Sequence, residues 1–223
     1  QNKKKCIWYC SAVVSFLLFL LLLGWTNHLA NTQDAQQMAG RWSEKKDVAQ
    51  ISCFFSSKAE VTEDTIQSFE YSLKNVLQEA SITETSENPS ARLWVDAYSA
   101  DGKITLVNGK NTLDANAIGI GGDFFMFHPL KLITGAYFSG NDLMQDYCII
   151  DQDAAWQLFG SNDVVGMTVY IGNVPHIVTG VVQRPDSRMD KAAGLNSTVV
   201  YVSYETLSAY GTNNGINHYE IVM

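Results

Sequence analysis

An uncharged segment of twenty residues, from 6 to 25, lies near the start of the chain and contains eight consecutive leucines and phenylalanines. As an α-helix that rises about 1.5 Å per residue, it is about 30 Å long, which matches the hydrocarbon core of a bilayer. Trp8, Tyr9 and Trp25 flank it, as aromatic residues do at membrane interfaces. No comparable apolar run follows. We therefore predict that the chain crosses a membrane once and carries one sizeable domain beyond it.

Three lysines at positions 3 to 5 precede this segment and predict its orientation. By the positive-inside rule the N-terminal end is cytoplasmic and the bulk of the chain is extracytoplasmic, attached to the cell (inner, cytoplasmic) membrane. A cleaved signal peptide is the alternative, because it shares the basic start and the apolar middle. The retained anchor is favoured because the apolar run is long and because the cleavage candidate at 28–30 begins with the bulky His28.

Charge and cysteine content restrict the classes of partner and cofactor. The formal net charge of −8 disfavours nucleic-acid binding, since an acidic surface repels phosphates. Cys53 and Cys148 lie in two apolar, strand-like runs. They form either an extracellular disulfide or, as we favour, two small buried hydrophobic residues. No CxxC spacing supports a zinc site, and we expect neither a metal nor another cofactor.

The first half of the domain alternates strand and helix patterns. Residues 27–50 are polar and predict a helical stalk, and Thr62 is positioned to cap a helix with an apolar stripe. Asp101 and Gly102 predict a two-residue hairpin turn, because both residue types tolerate positive φ. The stripe residues are Ile66, Phe69, Leu73, Val76, Leu77 and Ala80, and the predicted strands cover 51–55, 93–98, 104–107 and 113–120.

The second half contains shorter elements. Asp151 is predicted to cap a helix that ends at Gly160, and Gly172 and Asn173 predict a hairpin between strands at 167–171 and 176–182. The other predicted elements are a strand at 147–150, a polar loop at 184–196, a strand at 199–202, a helix at 205–210 and a further element at 216–223.

Five sequence motifs follow one another in a familiar order: GDFF at 122–125, GAYFSGND at 135–142, YCII with AAWQLFG between 147 and 160, DVVGMTVYI at 163–171 and VPHIVTGVV at 174–182. Together they resemble the MacB-like periplasmic core domain. Ala136, Val164 and Ser203 depart from the pattern of that family and indicate a different subtype. The motif residues with a structural role by this resemblance are Phe124, Gly135, Phe138, Asp142, Leu158, Phe159, Gly160, Gly166, Pro175 and Gly180.

The resemblance implies an α+β fold: one transmembrane helix, then a mixed α/β domain with porter-like and Sabre-like subdomains. The corresponding segments are 1–26 (cytoplasmic end and membrane helix), 27–50 (stalk), 51–127 (porter-like), 128–195 (Sabre-like) and 196–223 (return to the porter-like part), before an FtsX-like membrane domain. It also implies an ABC transporter permease of the mechanotransmission type. Its partners would be a cytoplasmic ABC ATPase, a second or related permease, and an adaptor or a peptide or lipid substrate.

Catalytic motifs are missing from the sequence. It contains no Walker A pattern, no HExxH and no GxSxG, so we predict a non-catalytic subunit. A single-span receptor and a tethered surface enzyme are the less favoured alternatives. Phe125, Met126 and Phe127, which follow Phe124, form either a docking surface for a partner or a buried junction between subdomains, and the second interpretation is favoured.

Overall fold

The computed structural model describes residues 2–31, 36–43, 48–83, 92–184, 188–192 and 197–223. Its helices are α1 (Asn2–Asn31), α2 (Met38–Trp42), α3 (Glu63–Glu79), α4 (Phe124–Phe127), α5 (Gln152–Phe159), α6 (Arg188–Ala192) and α7 (Tyr204–Tyr210). Its strands are β1 (Gln50–Phe54), β2 (Val95–Asn108), β3 (Asn111–Gly122), β4 (Leu132–Gly135), β5 (Tyr147–Asp151), β6 (Thr168–Ile171), β7 (Val174–Val182), β8 (Val199–Ser203), β9 (Thr212–Asn213) and β10 (His218–Val222). The predicted α+β class is confirmed.

Helix α1 contains the apolar segment. Its stretch Ser11–Leu29 is long and apolar enough to cross a membrane, and the side chains of that stretch are exposed. Such exposure of leucine and phenylalanine is unfavourable in water and is accommodated by lipid. The predicted N-terminal apolar helix is therefore confirmed.

Six strands close into a barrel. β2 pairs with β3, β3 with β8, β8 with β5, β5 with β7, β7 with β6, and β6 again with β2. Alternate residues of each strand face the interior, which aliphatic side chains fill together with Leu158 of α5 and Leu207 of α7. The predicted segments 51–127, 128–195 and 196–223 each contribute strands to this barrel. Their division into porter-like and Sabre-like subdomains stays a prediction.

β1 and β10 extend the sheet beyond β2 and form a second layer. β10 lies between β1 and β2, antiparallel to both. Because successive side chains point to opposite faces, Tyr219 and Ile221 meet α3 on one face. Val222 packs on the other face, in a core that includes residues of α2 and α4.

Most local elements match their predictions. Asp151 caps α5, Gly160 ends α5 with φ +74°, and the Gly172–Asn173 hairpin joins β6 to β7. Thr62 is at the N-cap position of α3, but its side chain makes no capping hydrogen bond and instead contacts Thr65 Oγ1 at 3.2 Å. Both cysteines are free thiols. Cys148 is buried in the barrel, as the favoured interpretation predicted, whereas Cys53 is only partly buried against α3.

The predicted hairpin at Asp101 and Gly102 is wrong. β2 continues through both residues, which lie opposite Ile118 and Ala117 of β3. Glycine is needed at position 102 for close packing rather than for a turn, because a Cβ there would lie 2.3 Å from the carbonyl oxygen of Thr212. The hairpin turn instead follows Asn108, the last residue of β2.

The predicted stalk at 27–50 includes the end of α1 and all of α2, and α2 packs against the domain. Residues 32–35 and 44–47 lie outside the described residues. The predicted polar loop at 184–196 contains α6, and residues 185–187 and 193–196 also lie outside the described residues.

Candidate functional site

The segment between the membrane helix and the domain is fastened to the domain through α2. Met38 is only 1% exposed and belongs to the core that contains the phenylalanines of α4. Arg41 Nη2 donates to the carbonyl oxygen of Met126 at 2.7 Å and to that of Phe127 at 3.3 Å. These carbonyls end a short helix, where a cation is electrostatically favoured. We call α2 with these contacts the connector.

Two distant parts of the chain meet where β1 begins and β10 ends. The backbone N–H of Ala49 donates to the carbonyl of Met223 at 2.9 Å, and the N–H of Met223 donates back at 3.1 Å. The strands are antiparallel, so Gln50 lies opposite Val222. Residues next to the connector and residues at the end of β10 are therefore hydrogen-bonded neighbours.

Helix α4 packs between the connector and the sheet. Phe124, Phe125 and Phe127 are buried, whereas Met126 is 43% exposed. The three phenylalanines belong to one buried core cluster, and a junction between subdomains at this place stays a prediction. A docking role for Phe125, Met126 and Phe127 stays a prediction, and of these three side chains only Met126 is exposed.

A side-chain hydrogen bond joins His128, which follows α4, to β10. His128 Nε2 makes a short hydrogen bond with Glu220 Oε2, and Ser52 Oγ of β1 donates to Glu220 Oε1 at 2.8 Å. Burial opposes ionisation of Glu220, but the hydrogen bond and charge of His128, with Ser52, lower the pKa of this carboxyl below its usual value. Glu220 is therefore held as an anion that links three elements.

The opposite face of the same strands carries a cluster of carboxyl groups. Tyr219 donates its hydroxyl to Asp96 Oδ2 at 2.9 Å, and Tyr98 donates to Glu63 Oε1 of α3 at 2.7 Å. Burial, together with the charge of Asp96 and a hydrogen bond with it, raises the pKa of Glu70 to about 7. Burial also raises the pKa of Asp96. Both carboxyl groups therefore bind a proton more readily than they would in water.

The motif residues occupy turns and core positions. Asp142 Oδ2 accepts from the backbone N–H of Ser139 at 2.9 Å. Leu158 is buried, Phe159 packs against the barrel core, and Pro175 is exposed opposite Tyr170 in the β6–β7 hairpin. Phe124, Phe138 and Gly180 are buried, Gly135 ends β4, and Gly160 and Gly166 have positive φ. A role of these residues in rigidity stays a prediction.

Asp151 joins three elements of the barrel. Its Oδ1 accepts from the N–H of Ala154 at 2.7 Å, and its Oδ2 accepts from the N–H of Val199 at 3.0 Å. The carboxylate thus caps α5 and ties the end of β5 to β8. Arg184 pairs with Asp153 at 2.6 Å instead of with this carboxylate.

A groove of about 710 Å³ opens beside Asp151. Ala117, Ile118 and Val199 contribute apolar surface, and Lys131, Arg184, Asp101 and Asp151 contribute charges of both signs. This mixture does not select one sign of ligand charge. Among the described residues, no group of three or more His, Cys, Asp or Glu side chains is placed to hold a metal ion.

Sequence reasoning missed the connector and the carboxyl cluster. The helical spacing of Glu63 and Glu70 with Ile66, Leu73 and Leu77 was an available signal for the cluster, because it places the two glutamates on the buried face of α3. No comparable signal exists for the connector, since Arg41 and Met126 are 85 residues apart.

The sequence is similar to curated transport proteins. The macrolide export ATP-binding/permease protein MacB of Chromobacterium violaceum is 32% identical over 99 residues, which are 44% of this chain and 15% of that protein. MacB of Pasteurella multocida is 30% identical over 98 residues, which are 43% of this chain and 14% of that protein. The alignments therefore span about a seventh of the length of these curated relatives.

Two solved structures resemble the chain at low similarity. The extracellular domain of the ABC-type transporter YknZ from Gram-positive bacteria has a TM-score of 0.44 and 23% identity, covering 57% of this chain and 63% of that one. The periplasmic region of MacB from Actinobacillus actinomycetemcomitans has a TM-score of 0.44 and 24% identity, covering 59% of each chain.

The family assignment rests on a match to nearly the whole sequence. Residues 14–222 match the model of the MacB-like periplasmic core domain. The match begins within α1 and extends to the last residue of β10. It includes all five motifs that carry the resemblance. The chain therefore belongs to the MacB-like periplasmic core domain family.

Proposed function

We propose that this chain forms the first membrane helix and the extracytoplasmic domain of an ABC transporter permease in the cell membrane. A separate cytoplasmic ATPase hydrolyses ATP, and the permease converts the movement of its helices into outward movement or extraction of a substrate. A second or related permease copy completes the membrane unit, and an adaptor or the substrate contacts the outer domain. The family match supports the extracytoplasmic-domain part of this proposal. The names of the relatives combine ATP binding with a permease in one protein and support the link to ATP, whereas the placement of hydrolysis on a separate subunit is part of the proposal.

The proposed conversion of helix movement into domain movement rests on one observation, the contacts that hold the connector against the domain. A helix can move a domain only if the segment between them does not absorb the motion. Arg41 and the buried Met38 fasten that segment to α4, and His128 at the end of α4 binds Glu220 of β10. β10 in turn lies between β1 and β2. Displacement of the connector would thus be passed to the sheet through direct contacts.

The pairing of Ala49 with Met223 adds a second point of attachment at the same end of the sheet. If the connector and the end of β10 are displaced together, the sheet moves with them as one body. They strain the β1–β10 hydrogen bonds when they are displaced apart. This arrangement is suited to a domain that follows its membrane helix without refolding.

The experiment uses the full-length protein purified from its own membranes with an affinity tag. We expect an ABC ATPase to co-purify. After spin labelling at position 110, we expect ATP to change the distance between this label and a label on the neighbouring permease copy. Arg41→Ala should reduce the distance change while ATP hydrolysis continues, because the connector is loosened. Lys58→Ala, at another exposed cation, is the matched control and should behave as the wild type.

Three results would contradict the proposal. The first is a purified protein with no ATPase, found instead with a kinase-like or other signalling module, which would support a receptor. The second is a complex that hydrolyses ATP without any change in the label distance. Calorimetric titration that detects micromolar ATP binding to the permease chain itself would also contradict the assignment of hydrolysis to a partner.

A further inference from the structure

A largely apolar surface lies on the outer face of the barrel, where β5, β7 and β6 run side by side. Ile177 of β7 lies between Tyr147 of β5 and Thr168 of β6 in the register of the sheet. Two residues earlier in β7, Pro175 lies opposite Tyr170 of β6. The strand residues that alternate with these five are buried. The five side chains therefore point outward, away from the barrel core.

The loop before β5 adds two apolar side chains to this surface. Leu143 is fully exposed, and Met144 is 54% exposed. The hydroxyl group of Tyr147 contacts the sulfur of Met144 at 3.9 Å, so the loop and the strands form one continuous surface. We call the following residues the outer patch: Leu143, Met144, Tyr147, Thr168, Tyr170, Pro175 and Ile177.

The loop that carries Leu143 is held in place by hydrogen bonds. Thr206 Oγ1 of α7 donates to the backbone carbonyl of Gln145 at 2.9 Å, and Gln145 Nε2 donates to the carbonyl of Asp142 at 2.5 Å. A leucine that is held out in water is unfavourable, and a partner that covers it removes this cost. Because the loop is already ordered, binding would lose little conformational entropy.

The outer patch lies away from the parts of the chain that the structure does not describe. Pro175 is near the start of β7, and Val182 is its last residue, about 23 Å of strand further on. Residues 185–187 follow that far end of β7. Residues 193–196 precede Val199, which binds the carboxylate opposite Val182 and so lies at the same far end.

The shape of the outer patch indicates the kind of partner. Sites for small molecules are concave and surround most of the ligand. A fully exposed leucine on the outside of a barrel protrudes instead, so the concave surface must belong to the partner. Methionine, tyrosine and other large apolar residues are frequent at protein interfaces. These features favour a folded protein over a small ligand.

The charges around the outer patch indicate the charge of this partner. Residues 132–183 contain five aspartates and neither lysine nor arginine. Three of these aspartates are close in the chain to residues of the outer patch: Asp142, Asp146 and Asp163. Lys110 lies in the turn after β2, which pairs with β6 beside Tyr170. The rim is therefore mainly negative and complements a positive surface.

We propose that the outer patch docks a folded extracytoplasmic protein that offers an apolar recess to Leu143 and surrounds this recess with lysine or arginine. A second copy of this chain would bring the same aspartates together, which opposes such a contact. The inference rests on the proposed function in one respect, because the partner is the adaptor that would contact the outer domain.

The first experiment identifies the partner in the native host. The full-length permease carries the photo-crosslinking residue p-benzoylphenylalanine at position 143, or at position 71 as the control. Tyr71 of α3 is also well exposed and lies outside the outer patch. We expect a protein that cross-links at position 143 and not at position 71. Mass spectrometry of the product should place the cross-link in an apolar recess of that protein, flanked by basic residues.

The second experiment measures docking with the identified protein, purified and added to the full-length permease in lipid nanodiscs. Leu143→Asp should weaken binding at least about thirtyfold, as substitution of a central interface residue does. Its side chain is fully exposed, so we expect the variant to fold normally. Tyr71→Asp is the matched control and should keep the wild-type affinity. Asp163→Lys, which reverses an exposed charge of the rim, should slow association, and so should added salt.

Four outcomes would overturn the proposal: no protein that cross-links more at position 143 than at 71, cross-linking only to lipid or to a second copy of this chain, an acidic surface at the cross-linked site, and equal effects of Leu143→Asp and Tyr71→Asp. None of them alters the co-purification of an ATPase or the ATP-driven distance change. Failure of the docking surface and failure of the transport proposal are therefore distinguishable.

Discussion

Asp151 offers the sharpest test of how the barrel is held together, because one buried carboxylate satisfies two backbone N–H groups from different elements. It is 2% exposed. Asp151→Ala removes the cap of α5, which costs about 1 kcal/mol. It also leaves the N–H of Val199 without its acceptor, which costs about 2 kcal/mol more. Burial raises the pKa of this carboxyl, so removal of the charge returns part of the cost. We expect a net loss of about 2 kcal/mol.

Asp153→Ala is the matched control two residues away. It removes an ion pair with Arg184 whose side chains are 35% and 24% exposed, and such pairs contribute at most about 1 kcal/mol. Urea unfolding of the full-length protein in detergent, followed by tryptophan fluorescence, measures both variants. With a slope of about 2 kcal/mol/M, Asp151→Ala should lower the midpoint by about 1 M. The reasoning is refuted if its midpoint falls no further than that of Asp153→Ala.

Two further predictions concern a charge and a pair of glycines. The pKa of Glu220 is lowered in the fold, so its contribution to stability is present above about pH 4.5 and lost as the pH falls. In Glu220→Gln, the urea midpoint should therefore fall less steeply as the pH is lowered. An unchanged slope would contradict the pairing with His128. Gly160→Ala should cost about 1 kcal/mol, because φ is +74° but no atom within 4 Å opposes a Cβ. Gly140→Ala should cost more in thermal unfolding, since its Cβ would lie 2.4 Å from Gly121 Cα, and equal losses would refute the steric argument.

Local signals in the sequence predicted the structure well where the physical cause is itself local. Asp151 and Gly160 were assigned to the two ends of one helix, and capping depends only on backbone groups within a few residues. Gly172 and Asn173 were likewise assigned to a hairpin, where both residues have positive φ. These positions could be interpreted without knowing what packs around them.

Predictions from the sequence were wrong where the role of a residue depends on contacts with a distant part of the chain. Asp101 and Gly102 have the composition of a turn, yet Gly102 is a strand residue that admits Leu207 and the Thr212 carbonyl. Phe69 and Val76 fit the apolar stripe of α3, yet they are 46% and 61% exposed. Periodicity identifies the apolar side of a helix but leaves its exact orientation to the surface opposite.

The contacts of the candidate site also depend on distant parts of the chain, because the side chains of the short strand β10 point alternately to the two faces of the sheet. Tyr219 and Glu220 are neighbours in β10 and so point to opposite faces of the sheet. Tyr219 binds Asp96 beneath α3, and Glu220 binds His128 beside the connector. A displacement of β10 must therefore disturb the hydrogen bonds on both faces together. Strand β10 therefore lies between the contacts of the connector on one face and those of the carboxyl cluster on the other.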